Sequence, residues 1–318
     1  MLTAELRRAI LAAAGTPHDD PLLRPGPQPG SYTSSLPFRI SRDPQEAARA
    51  LAARLATEPW IATADTTGPG YLTVTVTRDA LAGLAVRIAR AGPACAAGDA
   101  LHGRTVPGPP GIDPAAAPDW PSARAALAAQ LTARLAATAG ATFYPERNVV
   151  PPPVSPSPLP GAIAYAGFDA VRFALARMPP NGPPPDAEVI ARHVLANPAY
   201  AVRYAHAAAA AVLRWAAALG TRPGGFQPRL LVGPMELALL DALSWLPERV
   251  AMAARRGRPD EFAGYLEELA ARTIDTMSTT GFATISSITS ERLWLADAAR
   301  TVLAAGLGLL GVDAPERI

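Results

Sequence analysis

The sequence predicts an α+β unit, a small antiparallel sheet covered by helices, followed by an all-α helical bundle. Three observations predict it. Two alternating, β-branched segments flank Gly68-Pro69-Gly70, proline and glycine break the chain from 92 to 118, and from 163 onward apolar residues recur at helical spacing. With 318 residues, 49% of them apolar, the chain can bury a core in each of two modest domains.

Taken in order, 2–14 reads as a helix, followed by a turn-rich stretch from Pro17 to Gly30 and an extended segment over 32–40. Asp43 is a cap, Pro44 suits a first helical position, and Glu46 stands three residues after the cap, which predicts a capping-box start for a helix over 44–56. The alternation over 60–66 and 71–77 about Gly68-Pro69-Gly70 predicts a hairpin, and a helix over 79–90 completes the α+β unit. Residues 93–162 read as a Pro/Gly-rich linker carrying one helix, about 121–138, and its Pro151-Pro152-Pro153 run predicts an extended spacer. Helices are then expected at about 167–177, 186–196, 198–219, 234–256, 259–277 and 289–310. Asn197-Pro198 starts one of them, and Gly220 and Gly311 stop two.

All 29 basic residues are arginine, so chemistry that needs a lysine ammonium or a Schiff-base amine is excluded, the phosphate-loop lysine included. A net charge of +2 argues against a uniformly basic nucleic-acid coat, and RNA binding would have to rest on a local arginine cluster. The single Cys95 excludes an intramolecular disulfide and a cysteine-rich zinc site. Residues 1–14 carry Glu5, Arg7 and Arg8 within an amphipathic pattern, so a helix is expected there and not a signal peptide. No uncharged apolar run reaches the ~18 residues of a membrane span, and a cytoplasmic protein is expected.

Two segments, Gly167-Phe168-Asp169-Ala170-Val171-Arg172-Phe173 and Asn197-Pro198-Ala199-Tyr200-Ala201-Val202-Arg203-Tyr204-Ala205-His206-Ala207, resemble the opening of the DALR anticodon-binding domain of arginyl-tRNA synthetase. Gly257-Arg258-Pro259 and the 306–318 stretch ending in Glu316-Arg317-Ile318 fit the same family. Gly30-Ser31-Tyr32-Thr33-Ser34-Ser35-Leu36 and Gly68-Pro69-Gly70-Tyr71-Leu72 are similar to the enzyme's N-terminal additional domain. The resemblance implies an N-terminal additional-like domain over 1–92 and a DALR-type bundle over 163–318, with 93–162 between them. In the full enzyme a class I catalytic domain with HIGH-type and KMSK-type motifs stands at that point. Here His18, His102, His193 and His206 form no His-x-Gly-His pair, lysine is absent, and 93–162 is too short and proline-rich for a doubly wound sheet. The resemblance therefore implies a protein that binds tRNA and charges nothing.

It also implies an RNA-binding set. Tyr200, Arg203, Tyr204, His206 and Arg214 stand on the helix that faces the anticodon arm in the family, tyrosine for stacking and arginine for phosphate. Phe282 and Ile318 join them, and Tyr71 and Thr73 align with residues that read a base of the tRNA elbow. Packing and a solvated face are the alternative readings. The family pattern Tyr-Val-Gln-Tyr-Ala-His-x-Arg has Ala201, Arg203 and Ala208 here in place of Tyr, Gln and Arg. Met277 stands near the place of a stacking tyrosine, and Thr73 replaces an asparagine. Arg255, Arg256 and Arg258, with Arg249 nearby, cluster at a helix end as either a phosphate patch or solvated cations that favour the helix dipole. Glu267 and Glu268, adjacent on a helix, point apart and offer no acid–base pair.

Delivery, sequestration or regulation of tRNA is the expected role, with no catalytic residue, cofactor, metal or membrane contact and the oligomeric state open. The expected partners are tRNA and a protein that uses tRNA. A protein-interaction module that has lost RNA contact, and an accessory subunit of a separate tRNA-dependent enzyme, are the other two readings.

Overall fold

The structure, a computed structural model, describes residues 1–16, 20–108, 111, 113–144, 158–279 and 289–318. The first part holds α1 (Leu2–Ala14), β1 (Leu23–Pro25), β2 (Ser31–Ser34), α2 (Pro37–Ile40), α3 (Pro44–Leu55), β3 (Ile61–Thr67), β4 (Tyr71–Val76), α4 (Arg78–Ala82) and α5 (Leu84–Ala91). The strands form one antiparallel sheet in the order β1-β2-β4-β3. Along β4, Leu72, Val74 and Val76 are buried while Thr73 and Thr75 are half-exposed, the period of two that a half-covered sheet requires. The α3 helix lies on β3 and β4, placing Leu51 and Leu55 against that buried face.

Pro44 opens α3 and the Asp43 carboxylate accepts the Glu46 N–H at 3.0 Å. The Asp43 N–H goes to Ser41 Oγ at 3.1 Å, so Ser41 does the work that a capping box would assign to Glu46. At the hairpin, Gly70 has φ +130° and lies so close to α3 that a Cβ would stand 2.6 Å from Pro44 Cβ, which makes glycine obligatory. The helix expected over 79–90 is divided at Gly83 into α4 and α5.

Next come a 3₁₀ turn over Gly92–Ala96, β5 (Thr105–Pro107), α6 (Trp120–Thr138) and β6 (Thr142–Tyr144). Cys95 sits in the 3₁₀ turn, 3% exposed, and burial pushes its thiol up to about 12. Among the described residues of 93–162, the only sheet is the two-stranded parallel pair β5–β6. The α6 helix, the one expected in the connecting segment, buries Leu127, Leu131 and Leu135 and packs on the helices that follow.

Those helices are α7 (Leu159–Ala166), α8 (Phe168–Arg177), α9 (Ala187–Ile190), α10 (Pro198–Ala218), α11 (Pro234–Ser244), α12 (Leu246–Arg256), α13 (Pro259–Thr279) and α14 (Ser290–Leu310). The helix expected over 234–256 is two helices, because Pro247 has no N–H for the helical ladder and the chain turns at Trp245. The helix expected over 186–196 ends at Ile190. There the Asn197 amide donates to Ile190 O and Arg192 O, both at 2.8 Å, replacing helical bonds.

α14 packs against α10, α13, α11, α5 and the 3₁₀ turn. By length and composition alone it is apolar enough to cross a membrane. Its apolarity serves the bundle, since Leu295, Val302, Leu303, Leu307 and Leu310 are all buried. Gly306 allows close approach to α13, because a Cβ there would stand 2.4 Å from Leu266 Cδ2.

The α+β part is seated directly on the bundle. Tyr32 and Trp245 meet with ring centroids 5.5 Å apart, tilted at 51°. The Tyr32 hydroxyl shares a 3.2 Å hydrogen bond with Ser244 Oγ, and Thr3 Oγ1 donates to Ser244 O at 2.5 Å. The Gly30 N–H donates to Asp241 Oδ1 at 3.0 Å. Arg7, buried, pairs with Asp99 and lies 3.3 Å from Glu248 Oε1. Burial lowers the Arg7 pKa and raises that of Glu248, so each charge depends on the other for compensation. The core runs without interruption from Leu2 to Val312.

A shared core of this kind predicts a single calorimetric unfolding transition for the α+β part and the bundle. Trp245→Ala is expected to lower stability by about 3–5 kcal/mol, the range for truncating a large buried aromatic. Two independent transitions in the parent would contradict the shared core.

Candidate nucleic-acid interface

The surface around α10 is fixed first by the helix start. Asn197 Oδ1 accepts the Ala199 N–H at 3.2 Å, Pro198 supplies a preset first turn, and the buried Asn197 amide ties the preceding loop down. The loop brings His193 onto Tyr200, the rings stacked 5.5 Å apart at 13°, and Tyr200 stacks in turn on Tyr204 at 5.9 Å and 25°. Eleven residues on, a helix returns to within about 20° of the same side. Trp215 therefore follows Tyr204, and Arg214 follows Arg203. One edge of α10 is aromatic and the adjoining edge is basic.

Between Tyr204 and Trp215 lies an open cleft of about 430 Å³, lined also by Ala208, Ala211, Val212 and, from α13, Ile274, Met277 and Ser278. Ala208 and Met277, two positions at which larger or aromatic residues are expected from the family pattern, both line it. Trp215 is 39% exposed at its rim. Sequence reasoning passed over Trp215 and the stacking role of His193; the eleven-residue repeat from Tyr204 was the signal available for Trp215.

The basic edge is already engaged. Arg203 Nη2 stands 3.3 Å from Asp169 Oδ2, whose other oxygen accepts the Asp313 N–H at 3.3 Å. His206 is buried, its Nδ1 2.8 Å from Pro315 O. It faces the 312–318 tail and not solvent. Arg214 Nη1 donates to Glu316 O at 2.6 Å. The tail is led to this position from the end of α14, where Arg134 Nη1 donates to Gly308 O and Leu309 O at 3.2 Å and Arg172 Nε to Leu310 O at 2.6 Å. Gly311, at φ +72°, lets Arg172 lie across it, since a Cβ there would meet Arg172 Nε at 2.6 Å. Ile318 is 53% exposed at the end of the tail.

Arg255, Arg256 and Arg258 stand at the end of α12, each beside a carboxylate. Arg255 pairs with Asp20, Arg256 with Glu261 at 2.9 Å and Arg258 with Asp260 at 2.6 Å. Arg249 lies over the Trp245 and Tyr265 rings at 5.8 and 5.9 Å. On the α+β part, Tyr71 is exposed and pairs with Phe38, ring centroids 4.9 Å apart, while Thr73 Oγ1 is 2.7 Å from Thr67 Oγ1. Phe282 lies outside the described residues. Among the described residues no group of three or more His, Cys, Asp or Glu is placed to hold a metal ion.

Residues 202–318, which contain most of α10 and the tail, match the DALR anticodon binding domain family. The C-terminal half of the chain is arginyl-tRNA synthetase-like. It is 42% identical over 158 residues to an arginine–tRNA ligase of Clavibacter sepedonicus, covering 48% of this chain and 28% of that protein. It is 40% identical over 162 residues to the arginine–tRNA ligase of Paenarthrobacter aurescens, covering 49% and 30%. These matches span under a third of each relative's length. A putative arginyl-tRNA synthetase structure from Campylobacter jejuni superposes at a TM-score of 0.45 with 14% identity, over 62% of this chain and 44% of that one. Thermus thermophilus arginyl-tRNA synthetase gives 0.42 with 20% identity, over 100% and 59%. Superpositions this loose add nothing to the sequence match.

Burial lowers the pKa of His206, so the folded protein holds the ring neutral where the unfolded chain begins to protonate. Stability contributed by His206 is therefore complete above about pH 6.5, the unfolded value, and falls as pH drops from there toward the folded pKa. Asp241 and Glu248, raised by burial, act in the opposite direction at lower pH. Chemical denaturation from pH 7.5 to 5 is expected to show a smaller loss of stability on acidification for His206→Gln than for the parent. Identical slopes would show that the ring protonates freely in the folded state.

Proposed function

We propose that this protein is a non-catalytic tRNA-binding relative of arginyl-tRNA synthetase, which delivers, sequesters or regulates tRNA. The observation that carries this reading is the paired edge of α10, most of it within the DALR-matching residues 202–318: the His193–Tyr200–Tyr204 stack leads to Tyr204 and Trp215 at the cleft, beside Arg203 and Arg214. Bases of an anticodon arm stack along the first edge and phosphates follow the second. Phe38, Tyr71 and Thr73 form the second contact, at the tRNA elbow, as expected for an additional-type domain over 1–92 joined through 93–162 to a DALR-type bundle over 163–318. The absence of lysine and of a His-x-Gly-His pair supports a role without adenylation. The protein acts where tRNA is used, in the cytoplasm.

One observation favours a second reading. Arg203, Arg214, Arg255, Arg256 and Arg258 are each paired with a carboxylate of this chain, and the cleft at Tyr204 is lined mainly by apolar residues. A protein-interaction module, or an accessory subunit of a separate tRNA-dependent enzyme, would present such a surface to a partner side chain.

Fluorescence anisotropy with unmodified tRNA transcripts over a salt series separates the two. On the tRNA reading, binding weakens linearly in log–log form as salt rises, and Tyr204→Ala and Trp215→Ala each reduce affinity by about 5- to 100-fold, the loss of one stacked base. Absence of binding at low salt, together with a stoichiometric protein partner, would establish the module instead.

A further inference from the structure

Arg300, on α14, belongs to no motif noted above, yet it meets Arg214 of α10 at a single point. Its Nε and Nη2 donate to Asp297 Oδ1 at 3.1 and 2.7 Å, which leaves Nη1 directed at the tail. There the Glu316 carboxylate spreads its two oxygens, with Oε1 3.5 Å from Arg300 Nη1 and Oε2 3.5 Å from Arg214 Nη1. Two guanidinium groups from two helices thus converge on one oxyanion, loosely, at the edge of the aromatic stripe one residue from Trp215.

We propose that Arg214 and Arg300 form a clamp for a backbone phosphate of the bound RNA, and that the Glu316 carboxylate is its resting occupant. This rests on the tRNA-binding reading above. A phosphodiester presents two non-bridging oxygens to two guanidiniums much as this carboxylate does, and carries a charge that the clamp requires. The occupant is easily displaced. Glu316 is 58% exposed and its two ion pairs are long, and exposed pairs of this kind contribute little. The tail's main chain is held apart from the clamp by His206 on Pro315 O, and a second time by Arg214 Nη1 on Glu316 O, a bond to the backbone that does not involve the carboxylate. The carboxylate can therefore rotate outward while the tail stays seated. Asp297, bound to the far side of Arg300, keeps that side chain aimed at the clamp and adds a fixed negative charge beside it.

The test is binding of an unmodified tRNA transcript at constant salt by full-length parent, Glu316→Gln, Arg300→Ala and the double variant. Glu316→Gln is expected to tighten binding by about 2- to 5-fold, the removal of one weak internal competitor. Arg300→Ala is expected to weaken binding, to lower the log–log salt slope by about one contact, and to abolish the gain from Glu316→Gln when the two are combined. Parent and Glu316→Gln binding equally, or a gain that survives Arg300→Ala, would overturn the clamp while leaving RNA binding intact. Failure of the parent and all variants to bind would overturn the tRNA reading itself. Thermal unfolding of each variant reads the fold separately.

Discussion

The contact between the sheet and the corner at Trp245 decides the rest of the architecture. A Tyr32 ring tilted on an indole, with Ser244 hydrogen-bonded to both α1 and β2, gives the α+β part a buried, directional seat on the bundle. The apolar surface removed from water there supplies the stabilisation, and the hydrogen bonds fix which way round the parts fit. Arg7 with Asp99 and Glu248 contributes orientation more than energy, because the desolvation of such charges offsets most of their attraction. Pro247 is what makes the corner: without that break, Trp245 would continue along a helix and the seat would have no rim.

From that seat the bundle is arranged around α14, and α14 determines what the α10 surface presents. Guanidinium groups from α6 and α8 satisfy the last carbonyls of α14, Gly311 reverses the chain, and the tail returns along α10. The tail gives Arg214 its present partner, and its Asp313 N–H helps to hold the Asp169 carboxylate of α8 that pairs with Arg203. The aromatic edge, adjoining it on the same helix, is positioned at its start by the Asn197 cap and the loop it secures. The aromatic and basic edges thus have partly separate structural supports.

Much of this was readable in the sequence where the signal is local. Asp43-Pro44 and Asn197-Pro198 mark helix starts that the structure shows, and alternation about Gly68-Pro69-Gly70 places β3 and β4. The family resemblance in the second half rests on segments that lie together on α8, α10 and α14. What sequence could not show is set by distance along the chain. Arg255 pairs with Asp20 across 235 residues, and Arg214 with Glu316 across 102, whereas Arg256 and Arg258 pair with the nearby Glu261 and Asp260, so a run of arginines that reads as a free patch is neutralised partly at long range and partly by its own neighbours. The break at Pro247 was a local signal outweighed by strong helical periodicity on both sides.

Cys95 gives this arrangement a built-in reporter. The chain has one thiol, placed in the turn that packs on α12 and α14 and held protonated by burial. Only the thiolate is nucleophilic, so an alkylating reagent finds nothing to attack while the turn remains in place. The pace at which that sulfur becomes modifiable is then the pace at which the seam between the two parts breathes, measured without introducing a label.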